Sequence, residues 1–393
     1  MKKKKILFVI NSFAIGGAEK SLVSLLGLID YGKFDVDVLA INYGGAFRKY
    51  VDTRVHFLPI PAFVAYCNLP LAKQIFNLKY LKYRLLLSKS LKDNNKAAVK
   101  KHDSEVYWQS CQGAFDTLYD TYDLAIGWGQ GVPVKFVANK VTAEKKAVWI
   151  NADYEAVGHR REDDFDNFGK VDYIVSVSDK QNENMIGLFP EYREKCRVIY
   201  DINNAALIEK MSEAENAFTD YNGFKIVTVG RLNELKGQDM AVDAAKILKD
   251  KGLQFRWYAV GDGPLRAKLE NRIHQSGLEN DFILMGAKAN PYPYMKACDV
   301  YVQTSRFEGF CLTLTEARIL NKLCVTTEFE CVYDQMIQEK NGLVVDMNAD
   351  AIADGVLRMM NDEALINSVM EYVKYEKKGN VEEIEKVYNL LAE

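Results

Sequence analysis

The chain reads as an α/β protein built from two doubly wound, parallel-sheet domains in tandem. Short apolar runs alternate with longer amphipathic stretches, the pattern of repeated βα units. The alternation fills the first 200 residues and restarts near residue 224, after a polar segment over 201–223 with one helix-like turn. A length of 393 residues allows two to three domains at roughly 150 residues each.

In the first half, β-rich apolar runs place strands at 6–10, 36–40, 55–58, 124–127, 147–150 and 173–177. The second half places them at 225–230, 256–261, 282–285, 300–303, 323–326 and 343–345. Helical periodicity fills 237–251, 264–276, 312–320, 349–360 and 381–392. The expected division is an N-terminal domain over 1–202, a linker over 203–223, a C-terminal domain over 224–380 and a last helix over 381–393. Two such domains would face each other across a cleft lined by the carboxyl ends of their strands, where ligands of α/β folds bind.

Composition narrows the class. With 48% hydrophobic and 27% charged residues, the chain has the make-up of an ordinary soluble protein rather than a disordered one. The 7 cysteines are odd in number and scattered, with no C-x-x-C pair, and the 4 histidines (56, 102, 159, 274) have no ligand spacing. Neither a zinc site nor a disulfide framework is expected, and the usage fits a reducing, cytoplasmic setting. Lys2–Lys5 precede too short an apolar run for a signal peptide. The longest charge-free stretch, 55–72, is broken by Pro59, Pro61 and Pro70, so no membrane-spanning helix is expected. Residues 1–200 carry 29 basic against 23 acidic side chains, and 201–393 carry 22 against 31. A basic first half suits phosphates, whether of lipid or nucleic acid.

Four strand-end loops carry chemistry. In Asn11–Lys20, Gly16 and Gly17 either let a ligand's anionic group approach a helix N-terminus or merely permit a tight turn. The loop Gly230–Gly237 brings Arg231 and Lys236 to one strand end, where two cations suit a diphosphate, although a solvated charged loop reads the same way. Gly261-Asp262-Gly263-Pro264 closes a strand and starts a helix. In Ser305–Ala317, Glu308 sits on the strand-end loop and Glu316 about one turn into the next helix. Ionised carboxylates each accept hydroxyl hydrogen bonds, which suits a sugar and a ribose.

Together these loops resemble the motif set of retaining family 4 glycosyltransferases: Gly16-Gly17-Ala18-Glu19, Gly230-Arg231 with Lys236-Gly237, Gly261-Asp262-Gly263-Pro264, and Glu308 spaced from Glu316 by seven residues. The resemblance covers nearly the whole chain, strongest over 224–346 and weakest over 60–145. It implies a GT-B fold, with two Rossmann-like domains and the last helix crossing back to the first. By the same resemblance, Arg231 and Lys236 would neutralise the donor diphosphate and Glu308 would contact the transferred sugar. The amides of Gly309, Phe310, Cys311 and Leu312 would surround sugar and phosphate, and Glu316 would hold the ribose. Gly230, Gly261 and Gly263 would border the donor, Gly16 and Gly17 would close over the diphosphate, and Ala287 and Lys288 would read the base. Many family members place a histidine where this chain has Asn151, which cannot act as a base in the useful pH range. Asn151, Asp153 and Arg160 are the candidate acceptor contacts.

Neither a metal nor another cofactor is expected: Asp35-Val36-Asp37 lies on a strand, and Glu162–Asp166 reads as a solvated acidic loop. Residues 71–101 hold nine basic side chains against one acid, Asp93, with Leu71, Ile75, Leu78, Leu81 and Leu85 at helical spacing. That pattern suits an anionic membrane surface, and no nucleic-acid module accompanies it. The expectation is a peripheral, metal-independent hexosyltransferase at the cytoplasmic membrane face. It would move a sugar from a nucleotide donor, with UDP preferred, to a lipid-linked oligosaccharide for capsule or exopolysaccharide synthesis, and a homodimer is compatible with this. The alternatives are a silent GT-B subunit that binds a partner transferase or carbohydrate, and a GT-B sugar-nucleotide epimerase.

Overall fold

The computed structural model describes residues 2–42, 44–213, 217–218 and 220–392. It divides into two units. The first comprises residues up to Ile202 together with the segment from Glu382 onward, and the second runs from Asn203 to Val381.

The first unit holds a seven-stranded parallel sheet in the order β3-β2-β1-β4-β5-β6-β7. Its strands are β1 (Lys4–Ile10), β2 (Phe34–Ala40), β3 (His56–Phe57), β4 (Leu118–Trp128), β5 (Val141–Ile150), β6 (Tyr173–Ser176) and β7 (Cys196–Val198). Central strands are apolar and buried on both faces, as helix-covered parallel sheets require, and Leu7, Phe8, Ile126, Val148 and Ile174 are fully buried. β3 covers only His56–Phe57 of the expected 55–58, although the Leu58 amide still donates to the Val38 carbonyl at 2.9 Å, and Pro59, with no amide hydrogen, cannot carry the ladder further. β4 and β5 are longer than expected. Their polar first halves pair beyond the core, from Leu118 with Val141 to Leu124 with Lys145, where hydropathy carries no signal. β7 is a three-residue edge strand that the sequence reading missed.

The second unit holds a six-stranded parallel sheet in the order β10-β9-β8-β11-β12-β13. The strands are β8 (Phe224–Val229), β9 (Phe255–Val260), β10 (Phe282–Gly286), β11 (Val300–Gln303), β12 (Leu323–Thr327) and β13 (Leu343–Val345). The strand order reverses between β8 and β11, making a switch point there.

Two expected boundaries need correction. The segment 203–223 is not a linker: helix Ala205–Ser212 packs into the second unit, with Ile208 buried beside Val227 and Tyr301 in one cluster. Ala214–Asn216 and Thr219 of that segment lie outside the described residues. The last helix is Glu383–Asn389, shorter than 381–392. Ile384, Val387 and Leu390 enter the first unit's core, and the Tyr388 ring stacks on Phe34 at 4.8 Å. A helix at Glu363–Tyr375, with Leu365, Val369 and Val373 turned inward, went unread although its four-residue apolar spacing is plain.

Candidate donor site and its surroundings

In the second unit, the loops after β8, β9, β10 and β11 gather at one edge of the sheet, and two of them meet at the switch point. Lys236 lies in the loop after β8, just before helix Gln238–Asp250. Its Nζ stands 2.6 Å from each carboxylate oxygen of Glu308, in the loop after β11. Ser305 Oγ (2.5 Å) and Gln303 Nε2 (3.1 Å) also donate to Glu308 Oε1. Burial alone would lower the Lys236 ammonium's pKa, but the Glu308 carboxylate outweighs it and leaves the group above its usual value.

The two loops are fastened to each other. Thr304 Oγ1 donates to the Lys236 carbonyl at 2.9 Å, and the Arg306 amide donates to the Leu235 carbonyl at 2.8 Å. The Arg306 guanidinium grips Asp239 at 2.8 and 2.6 Å. Gly237 makes this closeness possible. Its φ of 62° is left-handed, and a Cβ there would stand 2.1 Å from the Thr304 carbonyl oxygen.

The other glycines of the set divide by cause. A Cβ on Gly261 would stand 1.8 Å from the Gly230 oxygen, and one on Gly263 2.4 Å from the Leu232 oxygen. Packing between loops therefore accounts for both. Gly230 would meet nothing closer than 3.6 Å, so the folded chain itself does not require a glycine there. Arg231 is exposed and has no ion pair among the described residues.

Behind the Glu308–Leu312 loop stands a layer that the sequence reading missed. The Cys331 thiol, pushed up to about 12 by burial, stays protonated and donates to the carbonyls of Glu308 (3.3 Å) and Gly309 (3.4 Å). Gln335 Nε2 donates to the Phe310 carbonyl. Cys311 precedes helix Leu312–Ile319 with a φ of 65°. Glu316, one turn in, is 1% exposed, and Tyr292 Oη donates to its Oε1 at 3.1 Å. Ala287 is exposed and Lys288 half-buried in the loop after β10; the Lys288 ammonium lies 6.0 Å from the Tyr294 ring centre.

The first unit has its own strand-end cluster. Gly16 caps helix Gly17–Leu26 without a side-chain hydrogen bond. The Glu19 carboxylate folds back over it, 2.3 Å from where a Gly16 Cβ would be, and burial raises that carboxyl's pKa. Gln130, in the loop after β4, holds the loop after β5: its Oε1 accepts from the Asn151 backbone amide (3.2 Å) and its Nε2 donates to the Ala152 carbonyl (2.6 Å). Asn151 keeps both side-chain polar atoms buried without a hydrogen-bond partner, an arrangement that native proteins keep rare. Asp153 is occupied by the Ala156 amide (2.7 Å) and Asn184 (3.3 Å). Arg160 caps helix Arg161–Gly169 and pairs with Glu162 at 3.2 Å.

The 162–166 segment is not a solvated acidic loop. Asp163 and Asp164 are buried, and Lys135, 1% exposed, pairs with Asp164 (2.5 Å) and Glu105 (2.8 Å). Asp37 of the Asp35–Asp37 pair is also structural, buried against Tyr122 Oη (2.9 Å) and His56 (2.8 Å). Among the described residues, no three His, Cys, Asp or Glu side chains cluster as a metal site.

The basic stretch forms helix Leu78–Lys96. Tyr80, Leu81, Tyr83 and Leu87 pack on the first unit's core, so the expected stripe 71, 75, 78, 81, 85 is not one face. The side chain of Leu71 lies outside the described residues. Solvent meets Phe76 (83% exposed), Leu78 (76%) and Leu85 (62%), alongside exposed Lys82, Lys89, Lys92 and Lys96. No helix among the described residues is long and apolar enough to cross a membrane.

Residues 210–379 match the family model for glycosyl transferases group 1. The second unit is a group 1 glycosyltransferase domain. The Lys236–Glu308 pair lies at the switch point of this transferase domain. Over the whole chain the fold matches that of Anabaena HepE in complex with UDP and glucose, with a TM-score of 0.71, 17% identity and 99% of each chain covered. Both units therefore have the Rossmann-like architecture of GT-B glycosyltransferases. Among curated proteins, the chain is 23% identical over 364 residues, 92% of each chain, to the N-acetylgalactosamine-N,N'-diacetylbacillosaminyl-diphospho-undecaprenol 4-alpha-N-acetylgalactosaminyltransferase of Campylobacter jejuni. It is 27% identical over 168 residues to a glycosyltransferase of Methanocaldococcus jannaschii, spanning 41% of each chain.

Proposed function

We propose that this chain transfers a sugar, with retention and without a metal, from a nucleotide donor to a lipid-linked saccharide at a membrane face. The observation that carries the reading is Lys236, held against Glu308 at the switch point of the transferase domain. Lys236 and Arg231 would take the departing diphosphate's charge, where preorganised cations lower the barrier most. The bond from the anomeric carbon to the phosphate oxygen breaks, and the acceptor oxygen attacks from the same face. The acceptor's proton passes to the departing phosphate oxygen, so no separate protein base is needed. The orphaned Asn151 amide would receive a sugar hydroxyl.

UDP is the preferred nucleotide, supported by the UDP in the HepE structure. A lipid-linked acceptor is supported by the diphospho-undecaprenol in the C. jejuni enzyme's name. The apolar and basic outer side of helix Leu78–Lys96 supports contact with anionic lipid.

Calorimetric titration with UDP, GDP and ADP, without added metal, tests the donor site. One nucleotide should bind, and Lys236→Ala should abolish that binding. Sugar transfer from the matching nucleotide sugar to a polyprenyl-diphosphate glycan, unaffected by EDTA, should give an α-linked product by NMR from an α-linked donor. Binding of none of the three nucleotides would favour a non-catalytic subunit.

A further inference from the structure

Lys236 is the cation best placed for a diphosphate, yet it is already taken. Its ammonium touches both oxygens of Glu308 at 2.6 Å, and that carboxylate is 7% exposed on its side chain. Glu308 is fixed by Ser305 and Gln303, and its backbone by the Cys331 thiol. Lys236 is fixed through its carbonyl by Thr304. The pair is complete without a ligand, and neither partner swings on a loose loop.

A diphosphate and a carboxylate are both anions, and in a partly desolvated site they repel strongly when they share one ammonium. A nucleotide sugar can settle the conflict, because its sugar hydroxyls offer Glu308 new hydrogen-bond donors as the phosphate takes Lys236. A bare nucleoside diphosphate offers the carboxylate nothing in return. We propose that Glu308 competes with the nucleoside diphosphate for Lys236, so that the site favours the intact donor and expels the product once the sugar has left. This rests on the donor-site reading above, and it gives Glu308 a second task beside touching the sugar.

The test is calorimetry with UDP, GDP and ADP on the wild-type chain, Glu308→Gln and Glu308→Asp. Glu308→Gln removes the competing charge while keeping a polar group for Ser305 and Gln303. It should bind the nucleoside diphosphate about tenfold more tightly than the wild type. Glu308→Asp, whose carboxylate is one methylene shorter, should fall between the two and serves if Glu308→Gln does not fold. The heat-stability gain on adding the nucleotide should likewise be larger in the variants. Equal affinity would overturn the proposal by making Glu308 a sugar contact only. Weaker affinity would overturn it by making Glu308 a support that holds Lys236 in place. Failure of all three chains to bind any of the nucleotides would overturn the donor-site reading, a result distinct from binding without tightening.

Discussion

Asp201 lies at the end of the first unit, 5% exposed. Burial pushes its carboxyl up to about 7, against a smaller pull downward from the Ser21 hydroxyl. Between about pH 4 and pH 7 the folded chain therefore holds a proton that the unfolded chain has released, and stability falls as pH rises through that window. Asp201→Asn should raise the Tm at pH 8 by an amount reflecting roughly 4 kcal/mol, and should change little at pH 4. Thermal unfolding at the two pH values checks this; an equal shift at both would remove the ionisation argument. His159 acts at the other end of the range. Burial, helped by His102, lowers it to about 4, so its contribution is lost as pH falls from about 6.5 through 4. Neither group was legible in the sequence, because a lone Asp or His carries no mark of its burial. The places of Lys236 and Glu308 at strand ends, and of Glu316 in the helix that follows, were legible because the apolar runs of β8 and β11 end shortly before them. Gln303, Ser305, Cys331 and Gln335 were not, since their roles arise only when β11 and the loop after β12 are brought together.

At the scale of elements, the second unit is legible because its strands are short and apolar and, apart from the edge strand β10, mostly buried. The first unit was read less well where its strands run past the core: the outer parts of β4 and β5 are held by ladder hydrogen bonds rather than by burial. Helix Leu78–Lys96 shows the same limit. Its apolar spacing was visible, but only packing reveals that Tyr80, Leu81, Tyr83 and Leu87 turn inward while Phe76, Leu78 and Leu85 turn out. Replacing Lys82, Lys89 and Lys92 with Gln should weaken binding to phosphatidylglycerol vesicles, read by co-sedimentation, by about a hundredfold, at roughly 1 kcal/mol per lysine. Binding to neutral phosphatidylcholine vesicles should stay low throughout. Unaltered co-sedimentation would refute this surface as the lipid contact.

For the molecule as a whole, Lys236, Glu308 and Glu316 all lie inside the second unit, whereas the segment after Val381 belongs to the first. Removing residues 382–393 should thus spare nucleotide binding and weaken the first unit. Losing the buried side chains of Ile384, Val387 and Leu390 would cost on the order of 5 kcal/mol. Calorimetry should find the nucleotide affinity within a few-fold of the full chain, while thermal melting should show one transition lowered. Loss of nucleotide binding with an unchanged melt would contradict this division.

The same segment sets an order of events during synthesis. The first unit's sheet is complete by residue 198, but the helix that fills its apolar groove is made only after the entire second unit. At the usual 5–20 residues per second, those intervening residues take roughly ten to forty seconds to make. Through that interval the nascent chain carries an open greasy slot shaped for Ile384, Val387 and Leu390, the stage at which a holding chaperone would matter most.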